Sequence, residues 1–558
     1  MSLLIWLPLI SDLHNRGLSD STITNNGATL NANGKLGGCY SFNGSSSYLL
    51  GTHNVITNNT DDWSFSCWMK LNATTQGQCL FSCRNGASST GITVFYYGSQ
   101  WLVDDGVRWQ FTPTVTIAKA TWYHICVVRK KGIGKYLYVN GALDSSTTTV
   151  GTQSTVNTSY YAIGSSQNST STVSGNPVNG YLSDARFYDE ALSQKQIKLL
   201  SQGLVAHYTL GDRYLEGTTN LVTSYTAGGR TTLIEGGKAV QTTGENSDTY
   251  FRINLSSSLV SGTTYTLSMY ARGISSDSYW GFRFNNNASF PFYVYSGYNT
   301  YTFTATSELV GVLNPLIDDV NRPDWANKAT FYNIQLEAKD HSTGYAGMGG
   351  TRDETTVYDS SGYNYHGTAS GTLTVSSDAP RYSVSTQFSS GSHIDTALVT
   401  GGFANTYTFA WWGYIVNYTS HMMWGFSDGN RLNLYMSNNG NNFYWNTGDG
   451  SANPFGSIKP SDYKYAWHYF TITGDGTTSK LYIDGEFKAN ATAYRRITGS
   501  TIYMNGWNSG TMYNCNGKLS DFRLYSTCLS ADDIRELYQV GASIDRSGNM
   551  YAYEFNEV

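Results

Sequence analysis

The carboxylates of this sequence are too scattered to suggest acid–base catalysis. Hydrolysis by a pair of carboxylates needs two such groups on either side of the bond to be cleaved, yet charged residues make up only 13% of the chain. The densest acidic groups are Asp318-Asp319, in a predicted loop, and Asp532, Asp533 and Glu536, on a predicted short helix. Both are typical of solvated polar surfaces. The nucleophile-elbow, zinc-protease, P-loop and dinucleotide motifs are also missing, so we expect no enzymatic activity.

An aspartate stands two residues before an arginine at two places, in "LSDARFY" and "LSDFRLY". Alternate residues of a strand share a face, so Leu182, Asp184 and Arg186 are predicted to lie together. The same spacing relates Asp521 to Arg523. A side-chain ion pair that fixes the strand is the simplest role for each aspartate.

Aromatic side chains in polar surroundings are the residues best suited to bind a ligand. Sugars stack their apolar C–H faces on tryptophan and tyrosine rings, while amides and hydroxyls bond the rim. The candidates stand in segments rich in Gly, Asn, Ser or Asp, and they are Trp101, Tyr279, Trp280, Trp325, Trp445 and Trp507. The alternative is that tryptophans fill the cores, as we expect of Trp68, Trp122, Trp412 and Trp467.

The elements that position these residues are predicted to be short strands. The chain of 558 residues contains 58 Gly, 44 Tyr and 14 Trp, a composition that suits strands joined by tight turns. Its length predicts three or four domains. We therefore expect an all-β protein of several sandwich domains.

One module occurs twice along the chain. "NGYLSDARFYDEALSQKQIKLLSQ" from Asn179 aligns without a gap with "NGKLSDFRLYSTCLSADDIRELYQ" from Asn516, at an offset of 516 − 179 = 337. Upstream, "WSFSCWMKL" matches "YTFAWWGYI" and "KYLYVNG" matches "SKLYIDG", in the same order. Internal repetition at this length indicates a duplicated domain.

Turn and cap residues mark the same positions in both copies. Period-two alternation predicts half-buried antiparallel strands, joined by hairpin turns at Asn140-Gly141 and Asp484-Gly485. Ser193 and Ser530 are predicted N-caps of a short helix that ends each copy.

The second copy is predicted to be discontinuous. Its opening strand, "LVAHYTLGD" from Leu204, matches "LIWLPLISD" from Leu4, yet the next landmark, "VYDSSG", begins only at Val357. Surface loops tolerate such insertions. The predicted domains are residues 1–203, residues 204–212 with 353–541, an inserted sandwich at 219–346, and a C-terminal strand or tail at 542–558.

These landmarks resemble the laminin-G-like, concanavalin A-like lectin/glucanase jelly roll. The resemblance rests on F-N-G near the start, W-S-F-S-x-W, W-Y-H, L-Y-V-N-G and the closing G-x-L-S-D-x-R-x-Y. It implies two jelly-roll sandwiches of this type. The inserted segment, with "SGTTYTLSMYARG" and "YNIQLEAKDHSTGYA", resembles a carbohydrate-binding module of the kind found in bacteriophage tail and fibre proteins.

The same resemblance raises calcium as the alternative role for the aspartates. Relatives of this type often bind calcium in loops through carboxylates and carbonyls, which makes Asp184, Asp521 and Asp359 weak candidate ligands. An Asx turn is the simpler role for Asp359 in "DSSG". No other cofactor is implied.

Charge and hydropathy exclude two classes of partner. The net charge of −5 and the absence of a basic stripe argue against nucleic acid. No apolar run reaches the length of a membrane span, and the N-terminus lacks the pattern of an export signal. The seven cysteines show no shared framework and are predicted to be buried free thiols.

The sequence therefore predicts a non-catalytic bacteriophage virion protein that binds host-surface polysaccharide. It would be a fibre, tail appendage or capsid decoration at the virion surface, made in the bacterial cytoplasm and released by lysis. The alternative is a purely structural decoration or connector that contacts other virion proteins; a secreted glycan-binding protein or a glycan-degrading enzyme is disfavoured. Sandwich edges leave a homo-oligomer open.

Overall fold

The computed structural model consists almost entirely of antiparallel strands, which confirms the all-β prediction. Within its described part are two α-helices, neither of them long and apolar enough to cross a membrane. The structure describes residues 3–17, 19, 21–53, 55, 62–84, 91–150, 159–167, 173, 175–210, 218–234, 237, 239–242, 249–274, 279–283, 292–307, 309–310, 315–321, 329–340, 342, 346, 348–349, 351–352, 355–382, 384–399, 406–417, 421–426, 433–436, 442–446, 452–491, 501–506, 514–539, 543–544 and 550–551.

The chain divides into two compact units, Met1–Gly211 with Val357–Val558, and Asp212–Thr356. The first unit contains both repeats. We call residues 1–203 module 1 and residues 204–211 with 357–539 module 2, and we call the second unit the inserted domain.

Module 1 is a sandwich of two antiparallel sheets. Its elements are β1 Leu3–Leu7, β2 Ile23–Asn26, β3 Thr29–Asn31, β4 Cys39–Asn43, β5 Tyr48–Thr52, β6 Trp63–Leu71, β7 Gln78–Arg84, β8 Gly91–Tyr97, β9 Gln100–Asp105, β10 Arg108–Phe111, β11 Trp122–Lys130, β12 Gly134–Val139, β13 Ala142–Thr147, β14 Tyr160–Ile163, β15 Asn179–Tyr188 and α1 Gln194–Ser201. One sheet has the order β13-β12-β11-β6-β15-β4-β3, with β1 also on β15, and the other β10-β9-β8-β7-β14-β5-β2. Between them Phe81 stacks on Phe65 and Phe187, with ring centroids 4.9 and 5.1 Å apart, so aromatic rings from both sheets fill the core.

The inserted domain, which follows the first strand of module 2 (β16, Leu204–Tyr208), is also a two-sheet sandwich. Its strands are β17 Thr218–Thr219, β18 Val222–Gly229, β19 Thr231–Ile234, β20 Ala239–Thr242, β21 Thr249–Leu255, β22 Thr264–Arg272, β23 Tyr279–Arg283, β24 Phe292–Val294, β25 Gly297–Thr304, β26 Leu316–Asn321, β27 Thr330–Glu337 and β28 Thr351–Arg352. Five strands in the order β18-β21-β26-β23-β24 face five in the order β19-β20-β27-β22-β25. Phe331 packs against Phe251 and Trp280 in the core, at 5.1 and 5.0 Å.

Module 2 repeats the plan of module 1. Its remaining elements are β29 Thr356–Val357, β30 Gly367–Ser370, β31 Leu373–Ser376, β32 Ser385–Phe388, β33 His393–Val399, β34 Tyr407–Tyr414, β35 His421–Met422, β36 Trp424–Phe426, β37 Asn433–Met436, β38 Phe443–Asn446, β39 Ala452–Pro454, a 3-10 turn at Pro460–Tyr463, β40 Trp467–Gly474, β41 Ser479–Ile483, β42 Glu486–Asn490, β43 Thr501–Met504, β44 Lys518–Tyr525 and α2 Ala531–Gln539. The order β31-β32-β44-β34-β40-β41-β42, with β16 on β44, matches the first sheet of module 1, and the second sheet contains β29-β30-β33-β43-β36.

A hydrogen bond common to both modules locates the insertion. In module 1 the Trp6 amide donates to Asn15 Oδ1 at 2.8 Å, across nine residues. In module 2 the His207 amide donates to Asp359 Oδ1 at 2.9 Å, across 152 residues. The difference, 152 − 9 = 143 residues, is the extra chain in this one loop, and it leaves and returns side by side because Thr218 pairs with Arg352.

The predicted alternation of the closing strand is wrong, because each module has a bulge at the aspartate. Asp184 and Asp521 both have φ of 53°, and the pairing register of β15 shifts between Ser183 and Arg186. The extra residue of a bulge reverses the alternation beyond it. Leu182 therefore shares the core with Ala185, while Arg186 is outside the core cluster.

The helix caps and hairpin turns follow the prediction. Ser193 forms a capping box with Gln196, and Ser530 Oγ accepts the Asp533 amide at 3.2 Å. Asn140 and Asp484 have φ of 50° and 55°, as a two-residue turn of this type requires.

Two expectations about acidic groups are wrong. Asp318-Asp319 lies within strand β26, not in a loop. Asp533 is buried and pairs with Lys198 Nζ at 2.5 Å, so α2 does not present it as a solvated surface. Asp532 is exposed, as expected.

The cysteines and the last two strands both belong to the first unit. All seven cysteines are free and six are buried, while Cys528 is half-buried; burial raises the pKa of the Cys39 thiol to about 12. At the C-terminus Ser543–Ile544 pairs with Met550–Tyr551 as β45 and β46.

Candidate functional site

Three of the predicted ligand-binding tryptophans are core residues. Trp101, Trp280 and Trp445 are fully buried, so the prediction that their rings are available on loops is wrong. Each lies on a strand, β9, β23 or β38, and is enclosed in the protein interior. Trp325 and Trp507 lie outside the described residues.

The expected core tryptophans divide into two kinds. Trp68 and Trp412 are buried, which confirms that prediction. Trp122 and Trp467 are only half-buried at the starts of β11 and β40; Lys70 Nζ lies 5.3 Å from the Trp122 ring, and Trp467 Nε1 donates to Asp378 at 2.9 Å. The core prediction is therefore wrong for Trp122, whereas Trp467 packs against the edge of the core cluster.

Tyr279, the remaining candidate, lies in a cluster of three tyrosines on the inserted domain. Its ring is 4.5 Å from that of Tyr293 and 6.0 Å from that of Tyr295. Tyr293 and Tyr295 are 44% and 49% exposed, and Tyr279 is half-buried at the start of β23. We call these three residues the tyrosine cluster.

Strand alternation explains why the cluster faces outward. On β24 Phe292 and Val294 face the core, so Tyr293 between them points away from it. Its cross-strand partner on β23 is Gly281, which places no side chain beside the ring. The cluster therefore projects from the edge of the sheet.

The third ring is fixed by hydrogen bonds to its backbone. Asn299 Oδ1 accepts the Tyr295 amide at 2.9 Å, and Asn299 Nδ2 donates to the Tyr295 carbonyl at 2.8 Å. Gly297, with φ of 108°, closes the turn in a conformation that other residues disfavour. The backbone of Tyr295 thus fixes its position beside Tyr293, and the phenol ring takes no part in these two hydrogen bonds.

A second group of tyrosines crosses the other sheet of the inserted domain. Tyr270 on β22 lies 5.6 Å from Tyr332 on β27 and 4.9 Å from Tyr298 on β25. Tyr298 is 49% exposed and follows Tyr295 by three residues. The β24–β25 segment therefore presents aromatic rings to both groups.

The geometry of the tyrosine cluster suits a small polar ring with apolar faces. The ring planes of Tyr293 and Tyr295 are inclined to that of Tyr279 by 62° and 55°, so the three rings do not form a flat platform. A pyranose or furanose can place C–H groups on such rings, and each phenol can donate and accept a hydrogen bond at the rim.

The module aspartates have protein partners that occupy their oxygens. Asp184 Oδ1 accepts Trp6 Nε1 at 2.7 Å and Arg186 Nε at 2.9 Å. Asp521 Oδ1 accepts His207 Nε2 and Arg523 Nε, both at 2.8 Å. Neighbouring guanidinium groups do not fit a calcium ligand set, so an ion pair is the role these geometries support.

Asp521 has more charged neighbours than Asp184. Arg381 Nη1 also bonds its second oxygen, and the positive charges of Arg523 and Arg381 hold the pKa of Asp521 well below its usual value despite the opposing effect of burial. Burial lowers the pKa of His207, and the positive charge of Arg523 lowers it further; the Asp521 carboxylate opposes both but does not outweigh them.

Asp359 forms an Asx turn. Its Oδ1 accepts the amides of His207 and Ser361, both at 2.9 Å, and Oδ2 accepts Ser361 Oγ at 2.6 Å and the Tyr365 amide at 3.1 Å. No oxygen is left for a cation. Across the part of the chain that the structure describes, no three His, Cys, Asp or Glu side chains are grouped to hold a metal.

Tyr293 and Tyr295 are not among the ligand-binding residues predicted from the sequence. They occur in "FPFYVYSGYNTY", where two tyrosines alternate with apolar residues just before Gly297. Alternation of this kind at a strand end predicts exposed rings.

Comparisons with known proteins agree with the architecture. A family model, Laminin_G_3, described as the concanavalin A-like lectin/glucanases superfamily, matches residues 43–198 and 388–535. A search of curated protein sequences finds no match.

Solved structures show weak similarity. Domain 4 of AbnA, a GH43 extracellular arabinanase from Geobacillus stearothermophilus in complex with arabinotriose, is 20% identical over 36% of this chain and 98% of its own, with a TM-score of 0.29. The binding domain of botulinum neurotoxin serotype G is 12% identical over 58% of this chain and 81% of its own, also with a TM-score of 0.29. The family match covers more than half of the residues, in both modules. The chain therefore belongs to the concanavalin A-like lectin/glucanases superfamily.

Proposed function

We propose that the protein is a non-catalytic glycan-binding protein whose inserted domain binds saccharides through Tyr279, Tyr293 and Tyr295. The observation that carries this proposal is the contact of three rings at 4.5 and 6.0 Å, two of them nearly half exposed. Lectin-type sandwiches in the rest of the chain are consistent with this role.

The packing of the core does not account for the exposed rings of the tyrosine cluster. Strand β24 already contributes Phe292 and Val294 to the core, so Tyr293 adds little to it. Exposed apolar surface that recurs in one place marks an interaction site more often than isolated exposed rings do. Tyr97 and Tyr465, exposed singly in modules 1 and 2, represent the isolated kind.

A glycan array probed with the full chain tests the proposal. The wild type should bind at least one saccharide, and the double variant Tyr293→Ala/Tyr295→Ala should bind it about tenfold more weakly or not at all. Tyr97→Ala, which removes an equally exposed ring from module 1, should bind as the wild type does. Unchanged binding by the double variant would place the site elsewhere.

The biological setting is a separate part of the proposal. We place the protein at the surface of a bacteriophage virion, as a fibre, tail appendage or capsid decoration that contacts other virion proteins and host polysaccharide. The support is the resemblance of the inserted segment, which ends in "IQLEAKDHSTGYA", to modules of phage tail proteins. Mass spectrometry of purified particles should detect the chain in stoichiometric amounts.

Two results would favour other functions. If the wild type binds neither the array nor host cell walls, a purely structural connector is the better assignment. Release of reducing sugar from host polysaccharide would instead show catalysis and contradict the non-catalytic proposal.

A further inference from the structure

A row of polar residues crosses the second sheet of module 2 on the face away from the core. The pairing registers place Thr368, Asp395, Tyr503 and Gly425 side by side on β30, β33, β43 and β36. Their neighbours along the strands, such as Ile394, are buried in the core, so the row points outward. Asp395 and Tyr503 are half-buried.

Module 1 contains the same row with different chemistry. There the register places Thr24, Leu50, Ala162 and Ser82 on β2, β5, β14 and β7, in the same strand order. Leucine and alanine stand where module 2 has aspartate and tyrosine. The fold therefore does not need a carboxylate and a phenol at this place.

The two rows also differ in how they are covered. In module 1 Ala162 and Ser82 are fully buried, and Ser82 Oγ accepts the Gln167 amide at 3.1 Å. In module 2 the carboxylate of Asp395 accepts no hydrogen bond from the described residues. Module 1 thus satisfies its row internally, whereas the described residues of module 2 donate no hydrogen bond to the Asp395 carboxylate.

The surroundings of Asp395 shape a site around that acceptor. The His393 and Tyr503 rings meet edge to face with centroids 5.7 Å apart, and Thr368 supplies an exposed hydroxyl on the other side. Partial burial raises the pKa of Asp395, and the nearby His393 lowers it by less. Because the row faces outward, water can solvate the carboxylate in the free protein, and the hydroxyl groups of a ligand can replace that water.

We propose that Asp395, Tyr503 and Thr368 form a second saccharide site, specific for neutral sugars with vicinal hydroxyls. A carboxylate can accept two hydroxyl donors from adjacent sugar carbons, while the Tyr503 ring takes the apolar C–H face. Anionic sugars are excluded because a second carboxylate would be repelled. This site is separate from the tyrosine cluster and does not depend on it.

Saturation-transfer NMR and calorimetry on the full chain test the site. The protein should carry Tyr293→Ala/Tyr295→Ala, so that the tyrosine cluster does not contribute. The probes are methyl α-mannoside, methyl β-galactoside and methyl β-glucoside, with glucuronate as the anionic comparison. We expect at least one neutral glycoside to bind and glucuronate not to bind.

Matched variants then separate the site from general effects. Asp395→Asn keeps the size of the side chain and should weaken binding about tenfold or more, since hydrogen bonds to a charged group are the stronger kind. Tyr503→Ala should also weaken it, and Asp462→Asn, at an exposed carboxylate of the same module, should not. No neutral glycoside binding, or binding that Asp395→Asn leaves unchanged, would overturn the proposal without touching the tyrosine cluster.

Discussion

The indole Nε1 of Trp6 donates a hydrogen bond to Asp184 Oδ1 at 2.7 Å, which joins the first strand of module 1 to its last. His207 takes the place of the tryptophan in module 2 and meets Asp521 at 2.8 Å. Each aspartate sits at the bulge with a positive φ that aspartate tolerates better than most residues. The repeated S-D-x-R segment therefore closes each sandwich by bonding the last strand of the module to its first strand.

Replacing Asp184 by Asn should destabilise module 1 by about 3 kcal/mol, because it leaves the buried Arg186 guanidinium without a counter-charge. Asparagine keeps the shape and tolerates the same φ, so the charge is what changes. Urea unfolding followed by tryptophan fluorescence measures the difference. Asp532→Asn, in an exposed pair with Arg535, should cost less than about 1 kcal/mol; equal effects would contradict the closure role.

Acid should weaken module 1 through His124. Burial, and then the positive charge of Arg186, lower the pKa of His124 to about 3 from 6.5. The unfolded chain binds the proton first, so the contribution is complete above pH 6.5 and is lost as pH falls toward 3. Between pH 6.5 and 4.5 the loss amounts to about 2 kcal/mol.

The variant His124→Gln should flatten this part of the pH profile of unfolding free energy. His14→Gln, at an exposed position, serves as the control and should keep the wild-type slope. A slope unchanged in His124→Gln would show that other groups govern the acid response.

In the inserted domain, we expect a substitution in the core to reduce stability and a substitution in the tyrosine cluster to reduce glycan binding. Trp280→Ala removes a fully buried indole that packs on Phe331 and should cost about 3–5 kcal/mol. Tyr293→Ala should cost less than about 1 kcal/mol yet abolish most glycan binding. Thermal unfolding and array binding, measured on the same samples, check the pair; a large loss of stability in Tyr293→Ala would argue that its ring is structural.

Repeats, turns and caps could be predicted because they depend on local chemistry. Asn140-Gly141 and the Ser193 capping box need only a few neighbouring residues. Trp101 could not be placed in this way, since the polar "DD" that follows it suggested a loop. Asp105 is in fact buried, where Lys135 Nζ at 2.7 Å and Arg129 Nε at 2.9 Å neutralise it.

The bulge and the row that contains Asp395 and Tyr503 could not be predicted from neighbouring residues in the sequence either. One extra residue at Asp184 reverses the faces of β15, and alternation alone gives no sign of it. Asp395 and Tyr503 are 108 residues apart in sequence, from 503 − 395, and only the pairing of β33 with β43 brings them together. Long-range register is the information that the sequence pattern lacks.

Sugar binding at the second site should weaken in acid. An ionised carboxylate accepts two hydroxyl donors, whereas a protonated one loses part of that capacity. Because burial raises the pKa of Asp395 above 3.8, the loss should begin at a higher pH than for an exposed aspartate. Calorimetric titration with the neutral glycoside, from pH 7 down to about 4, should show a rising dissociation constant, and the weak residual binding of Asp395→Asn should not vary over this range.

Removing the inserted domain should leave the first unit folded. Replacing residues 211–356 by a short Gly/Ser linker would restore between His207 and Asp359 the nine-residue spacing that Trp6 and Asn15 have in module 1. The hydrogen bond needs nothing from the insert, and shortening a loop lowers the entropy cost of closing it. Circular dichroism should show a cooperative transition with a midpoint within a few degrees of the corresponding transition of the full chain. Binding at the tyrosine cluster should disappear while binding at Asp395 persists; an aggregated or non-cooperative product would mean that the insert is needed to fold module 2.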